Sequence, residues 1–350
     1  MAGLSGFSYY KEITISNTNV DSDIANFPVY IPIVADADIG AVCRADGFDI
    51  QFANADNSEV LTFERLPGFA VASGEASGDF YVLVPSVTTA STTIIRCYYG
   101  KADATDASSP GNTFPASDTG WAAVWHCHDA TTSTIADATS NGYTLTKGAA
   151  NQPLVSDGKI YKCQDFGLKT NAYYATASAG FNEAEFMIEF WGNPSSNTGG
   201  SYITSGSNYR VAVKDFQSGY WNVYNNGWPT GDGADLQIAA DNGSWQHIAY
   251  GSDGTNIVGY KNGVPTVTHA GNLNIGPPLT EYVIGTSSNH SYPYAGKLEE
   301  VRISNILRSD AWIEFTFYNS HDGHAAGNEL TWGAEQGLAV AYRQQVIMVM

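Results

Sequence analysis

YAGKLEEVRISNILRSDAWIEFTFYNS, residues 294–320, is the stretch from which the fold is read. In its first half Leu298, Val301 and Ile303 are apolar while Lys297, Glu299, Glu300 and Arg302 are polar, which predicts a strand with one buried face. A Ser-Asn break follows. Ser309-Asp310 can then cap a short helix carrying Trp312, Ile313 and Phe315. Working outward, Phe186, Ile188 and Phe190 alternate in the same way, as do Ile248 and Tyr250. Asn262-Gly263 between two such runs is the signal of a two-residue hairpin whose residues need positive φ.

The composition agrees with strands. Charged residues make up only 15% of the 350-residue chain, against 43% hydrophobic. Gly, Ser, Thr, Asn and Tyr are abundant, a mix that favours strands and turns over surface helices. The length suits two domains, each large enough for its own core. Thirty-five acids against 16 bases give a formal charge of -19, spread along the chain without a basic patch. This argues against nucleic acid and against anionic membrane surfaces, while favouring solubility and attraction of divalent cations. The start MAGLSGFSYYKEIT predicts no secretory signal peptide, and no apolar run is long enough to cross a bilayer, so membrane insertion is not expected. Cys43, Cys97, Cys127 and Cys163 contain no C-x-x-C pair and read as buried free thiols; disulfides would need an extracellular setting.

Residues 9–35 read as two strands, one around Tyr10, Ile13 and Ile15 and one in PVYIPIV (28–34). In ADGFDIQFANADNSEVLTFERLPG (45–68), Phe48, Ile50 and Phe52 alternate up to turn residues Asn54–Ser58, and Leu61 and Phe63 continue beyond them. DFYVLVPSV (79–87) and STTIIRCYYG (91–100) add two strands, completing a small antiparallel sandwich over residues 1–108. A connector follows at 109–120, rich in small and polar residues and expected to be ordered against one domain.

The first sandwich resembles an uncharacterised β-sandwich family on KEITISN, RADGFDIQFANAD, FYVLVPSV and IIRCYYGKADATDASSPGNTF. That family occurs upstream of LamG-like domains in bacterial surface proteins and phage proteins. Residues 121–336 resemble a LamG-like domain of the concanavalin A-like family. The elements are WAAVWHCHD (121–129), ADATSNGYTLT (136–146), GKIYKCQDFG (158–167), AEFMIEFWGNP (184–194), GSWQHIAYGSDGTNIVGYKNG (243–263), YVIGTS (282–287) and the GKLEEVRIS strand. The resemblance implies an all-β chain: a small antiparallel β-sandwich, then a concanavalin A-like jelly roll. The apolar tail at 337–350 reads either as an edge strand on its own sandwich or as a strand inserted into a neighbouring subunit.

The resemblance also implies one Ca²⁺ at the sandwich rim, on positions matching Asp137, Asn141 and Glu299. The alternative is that Asp137 caps its own turn and Glu299 faces solvent. An exposed carbohydrate surface is suggested by Tyr220, Trp221, Tyr224 and Trp228, set among Asn and Gly, with Tyr292 and Tyr294 nearby. Aromatic faces beside amides suit sugar rings, although some of these aromatics are expected in the core.

Glu183, Glu185 and Glu189 share strand parity, but four strand residues span about 13 Å, far from the ~5–5.5 Å of a retaining glycosidase pair, so a solvated face is the favoured reading. His126 and His128 lack a third ligand at fixed spacing, which favours packing over metal. The expectation is a non-enzymatic, surface-exposed protein, first of all a phage virion component that binds host glycans and associates with itself or other virion proteins. A bacterial cell-surface adhesion module is the alternative, and a glycoside hydrolase a distant one.

Overall fold

The computed structural model describes residues 4–116, 120–148, 152–167, 175–177, 185–195, 200–205, 211–215, 219–225, 228–229, 236–270, 281–286, 293–321 and 329–338, with the backbone alone at 200–205, 211–215, 224, 225, 228, 229 and 321. Strands Tyr9–Ile15, Thr93–Tyr99, Gln51–Asn54 and Val60–Leu61 form one sheet of the first sandwich. Ile24–Asp36, Glu75–Val87, Phe63–Arg65 and Ala70–Ala72 form the other. Ring pairs Phe52–Phe63 (5.3 Å) and Phe52–Phe80 (5.5 Å) lie edge to face in its core, the arrangement aromatic quadrupoles prefer.

The rest is a jelly roll of two larger sheets. Gly296–Ser304 lies near the middle of one, between Glu185–Pro194 on one edge and both Lys162–Asp165 and Trp121–Trp125 on the other. The hairpin at Asn262-Gly263 forms as its sequence requires, with φ of 52° and 79° and Lys261 paired to Val264. Along Glu185–Pro194, Phe186, Ile188 and Phe190 point into the jelly roll, against Tyr250, Val301 and Ile303.

The opposite face of that strand is also buried, which corrects the expectation of a solvated Glu189. Met187 and Trp191 belong to the same apolar cluster as the first sandwich, and Glu189 is 2% exposed between them. Helix Asp310–His321 is wedged into this junction. Ser309 Oγ accepts from Trp312 N (3.2 Å), as its capping position predicted. Phe27 meets Trp312 and Phe315 at 4.7 and 5.0 Å, and Trp191 stacks on Phe317 at 5.7 Å. Asn319 accepts from Tyr30 N (2.7 Å) and donates to Tyr30 O (3.0 Å), closing the sheet edge there as a neighbouring strand would.

The connector lies on the first sandwich. Arg65 holds Asp106 with two hydrogen bonds, Ser109 N donates to Phe63 O, and Phe114 is fully buried among Tyr81, Trp121 and His126.

A second correction concerns ELTWGAEQ, which the sequence reading gave to the jelly roll. Leu330–Trp332 and Gln336–Gly337 instead pair with Tyr9–Ile15, with Ile13 opposite Trp332 and Tyr9 opposite Gly337. Apolar Leu330 and Trp332 find the edge beside Ile13 and Ile15. The tail from residue 339 onward lies outside the described residues. All four cysteines are free, and burial pushes the Cys163 thiol up to about 12.

Candidate functional site

Glu299 does not face solvent. Its carboxylate accepts from the backbone N–H of Lys159, Ile160 (3.1 Å) and Tyr161 (2.7 Å). Three successive amides converge on one carboxyl group, and a Cβ on Gly158 would run into it. The GKI and LEEV motifs are therefore two halves of one clamp. Burial pushes the Glu299 carboxyl up to about 8, against the pull of those amides.

Asp137 is held in its own turn. It accepts from Thr139 N and Oγ1 (2.9 and 2.8 Å), Tyr143 N (2.8 Å) and Val124 N (3.0 Å). The side-chain amide of Asn141 donates to Ala122 O at 2.9 Å. The oxygens of Asp137 and Glu299 thus accept N–H and O–H donors within the protein, while Asn141 is engaged through its amide nitrogen. Among the described residues no group of three His, Cys, Asp or Glu is placed to hold a metal.

The densest chemistry lies between the sandwiches. His126 Nδ1 donates to Glu300 (2.7 Å) and Nε2 to Glu64 on the first sandwich (2.9 Å). With a carboxylate at each ring nitrogen the ring is doubly protonated. Burial opposes that charge, but the two carboxylates prevail and raise its pKa to about 10. Arg302 donates to Glu300 Oε2 at 2.9 Å and lies 3.6 Å from Glu189. Glu300 is pulled down to about 2 despite its burial, by the charges of His126 and Arg302. The Tyr81 ring stacks on His126 at 5.1 Å, and Arg302 lies over Tyr81 at 5.0 Å. Glu300 reaches this side through a bulge, with φ of 52° where the register against Glu185–Pro194 shifts.

Glu189 is different: neither of its oxygens has a hydrogen-bond partner among the described residues. Burial raises its pKa, beyond the opposing pull of Arg302 and Arg308. A cavity of about 10 Å³, the size of one water, lies against it, lined also by His247, Arg302, Thr316 and Ser320. All these groups are sealed from solvent, so they are interface chemistry rather than a substrate site. Glu185 is exposed while Glu189 is buried, so these two do not share one site, and Glu183 lies outside the described residues.

The aromatic candidates divide. Trp221 is fully buried against Phe190 (5.2 Å) with Nε1 on Gln246, and Tyr294 is 2% exposed with its hydroxyl on Lys297 O (3.1 Å); both are corrected to core residues. Tyr220 is exposed at the same strand. Tyr224 and Trp228 lie on strands Val223–Asn225 and Trp228–Pro229, paired at Tyr224–Pro229 and Asn225–Trp228; their side chains and the whole of Tyr292 lie outside the described residues.

The open site is one the sequence reading missed. Asp165, Lys297 and Asn193 sit side by side across three adjacent strands, since Lys297 pairs with both neighbours. Directly opposed residues share a face, and this is the face that buries Glu189 and Trp191 further along. Here the first sandwich no longer covers it. A cleft of about 210 Å³ opens, lined by Asp165, Gly167, Asn193, Ser195, Gly296 and Lys297. Asp165 Oδ1 accepts from Gly167 N (2.8 Å). Among the described residues Asp165 Oδ2 and the side chains of Asn193 and Ser195 make no hydrogen bond, so they are free to bind. Gly296 sits at φ 143°, and a Cβ there would strike Asn193 O and Pro194 Cα, so glycine is required.

Two stacked sheets with a polar cleft at the strand ends define a lectin-type jelly roll, and the chain as a whole is all-β. Residues 168–314 match the family model Laminin_G_3, the concanavalin A-like lectin/glucanases superfamily. No curated protein matches the chain. Among solved structures, domain 4 of an extracellular arabinanase from Geobacillus stearothermophilus, in complex with arabinotriose, is similar at TM-score 0.41 and 17% identity, covering 56% of this chain and 97% of that one. The binding domain of botulinum neurotoxin serotype D is similar at TM-score 0.42 and 12% identity, over 57% of this chain and 51% of that one. A mutant sialidase from Trypanosoma rangeli displaying trans-sialidase activity gives TM-score 0.46 and 11% identity, over 77% and 44%. This chain thus spans about half or less of the last two.

Proposed function

We propose that this protein binds glycans through the cleft at Asp165, Asn193 and Ser195 and does not convert them. The carrying observation is that Asp165 Oδ2 and the side chains of Asn193 and Ser195 line one open cleft with no hydrogen-bond partner among the described residues. Sugar hydroxyls are both donors and acceptors, and a carboxylate, an amide and a hydroxyl together answer both roles. The match of residues 168–314 to a lectin and glucanase superfamily supports the same reading. Binding rather than hydrolysis is favoured because the described lining of the cleft includes one carboxylate, where glycoside hydrolysis uses two. The test is an array of neutral, sialylated and sulfated glycans probed with the full-length chain and with Asn193→Ala. Retention of some glycans by the first and their loss by the second is expected. Release of free sugar from a retained glycan would turn the reading to an enzyme.

Display on a phage virion, with a bacterial cell surface as the alternative, belongs to the same proposal. Its support is the tandem of sandwich and jelly roll, which resembles phage and bacterial surface proteins. Self-association through the apolar tail is also proposed. Light scattering on the full-length chain beside one ending at Leu338 tests it: assembly lost on truncation is the expected result.

A further inference from the structure

Resting on that reading, we infer that the cleft takes an uncharged sugar ring and discriminates against carboxylated and sulfated glycans. Among the described residues Lys297 is the one cation in its lining, and its ammonium group is engaged elsewhere. Nζ donates to Ser156 Oγ at 2.8 Å and to Asp157 O at 3.3 Å on the neighbouring edge strand. Asp165 Oδ2, by contrast, has no hydrogen-bond partner among the described residues. An acidic sugar would meet that carboxylate without a free cation among the described residues to offset it, on a chain whose formal charge is -19. A neutral ring can instead donate a hydroxyl to Asp165 Oδ2 and accept from the Asn193 amide, and hydrogen bonds to a charged acceptor are the stronger kind. At about 210 Å³ the cleft falls below the ~300–1,000 Å³ of pockets for drug-sized ligands, so it has room for one ring rather than a chain of them.

The experiment measures affinities of the full-length chain for neutral oligosaccharides and their sialylated or sulfated counterparts, by calorimetry at about 0.05 and 0.5 M salt. Neutral ligands are expected to bind with little change in affinity between the two salts. Their affinity should fall about tenfold in Asn193→Ala and at least as much in Asp165→Asn, which keeps an oxygen for Gly167 N but removes the charge. Preferential binding of acidic glycans, weakening with salt and improved by Asp165→Asn, overturns this inference while leaving glycan binding intact. Neutral binding unchanged in both variants also overturns it. If no glycan of any class binds, the reading it rests on falls as well.

Discussion

One sheet face has two ends, and they were built for opposite purposes. At one end Met187, Glu189 and Trp191 are buried under the first sandwich, with Glu300, Arg302 and His126 in a partnered chain of charges. At the other end Asn193, two residues further along the same strand, opens onto solvent beside Asp165 and Lys297. Both ends are rich in polar side chains. What separates them is access: at the closed end the polar groups are sealed from solvent and mostly partnered, and at the open end they face it. Partnered polar groups fix how two domains meet, and unpartnered ones in the open are available to a ligand.

The comparison breaks most readily at Glu300. Glu300→Ala leaves both His126 and Arg302 buried without their shared carboxylate, and unfolding in denaturant should show about 3–5 kcal/mol less stability. A loss under about 1 kcal/mol would mean that the closed end is not held by these charges.

The pH profile comes next. His126 is raised from 6.5 to about 10, so its contribution is full below 6.5 and is lost as pH rises to about 10. Glu299, raised from 4.5 to about 8, loses its contribution over that lower window in the same direction. Melting temperature should therefore fall steadily on the alkaline side of about pH 5, and His126→Gln should remove the part of the decline above pH 8. A wild-type profile flat from pH 5 to 10 would contradict both assignments.

Gly158→Ala pushes a methyl group into the Glu299 clamp and should cost about 1–3 kcal/mol, read from thermal melts. Glu189 sharpens the contrast inside the closed end. With both oxygens unbonded and its pKa raised by burial, it favours folding below its unfolded pKa and opposes it once ionised. Glu189→Met should then change stability at neutral pH by no more than about 1 kcal/mol, or increase it. The smallest effect belongs to the open end. Asn193→Ala should leave stability within about 0.5 kcal/mol while weakening glycan binding.

The parts of the fold carried by local pattern were readable from the chain. Phe186, Ile188 and Phe190 alternate as seen, and Asn262-Gly263 turns as its chemistry demands. The buried second face also left a mark: PVYIPIV and FYVLV are apolar runs without alternation, as strands covered on both sides should be. What could not be read was register. Glu299 and Gly158 come from motifs that were each recognised, yet nothing local says that one clamps the other. The cleft is the same problem, since Asp165, Asn193 and Lys297 meet only through pairing of three strands far apart in sequence. The bulge at Glu300 breaks parity as well, so simple alternation along this strand does not place Glu300 and Arg302.

The pairing of Ile13 with Trp332 has a consequence for how the chain comes into being. Strand Tyr9–Ile15 is synthesised before the whole jelly roll, and its partner Leu330–Trp332 only after it. At ~5–20 residues per second the wait between them is roughly 15–60 s. During that time the first sandwich carries an open edge, and its outer sheet lacks the jelly-roll surface that covers it. That edge of the first sandwich is closed only once translation has passed the jelly roll.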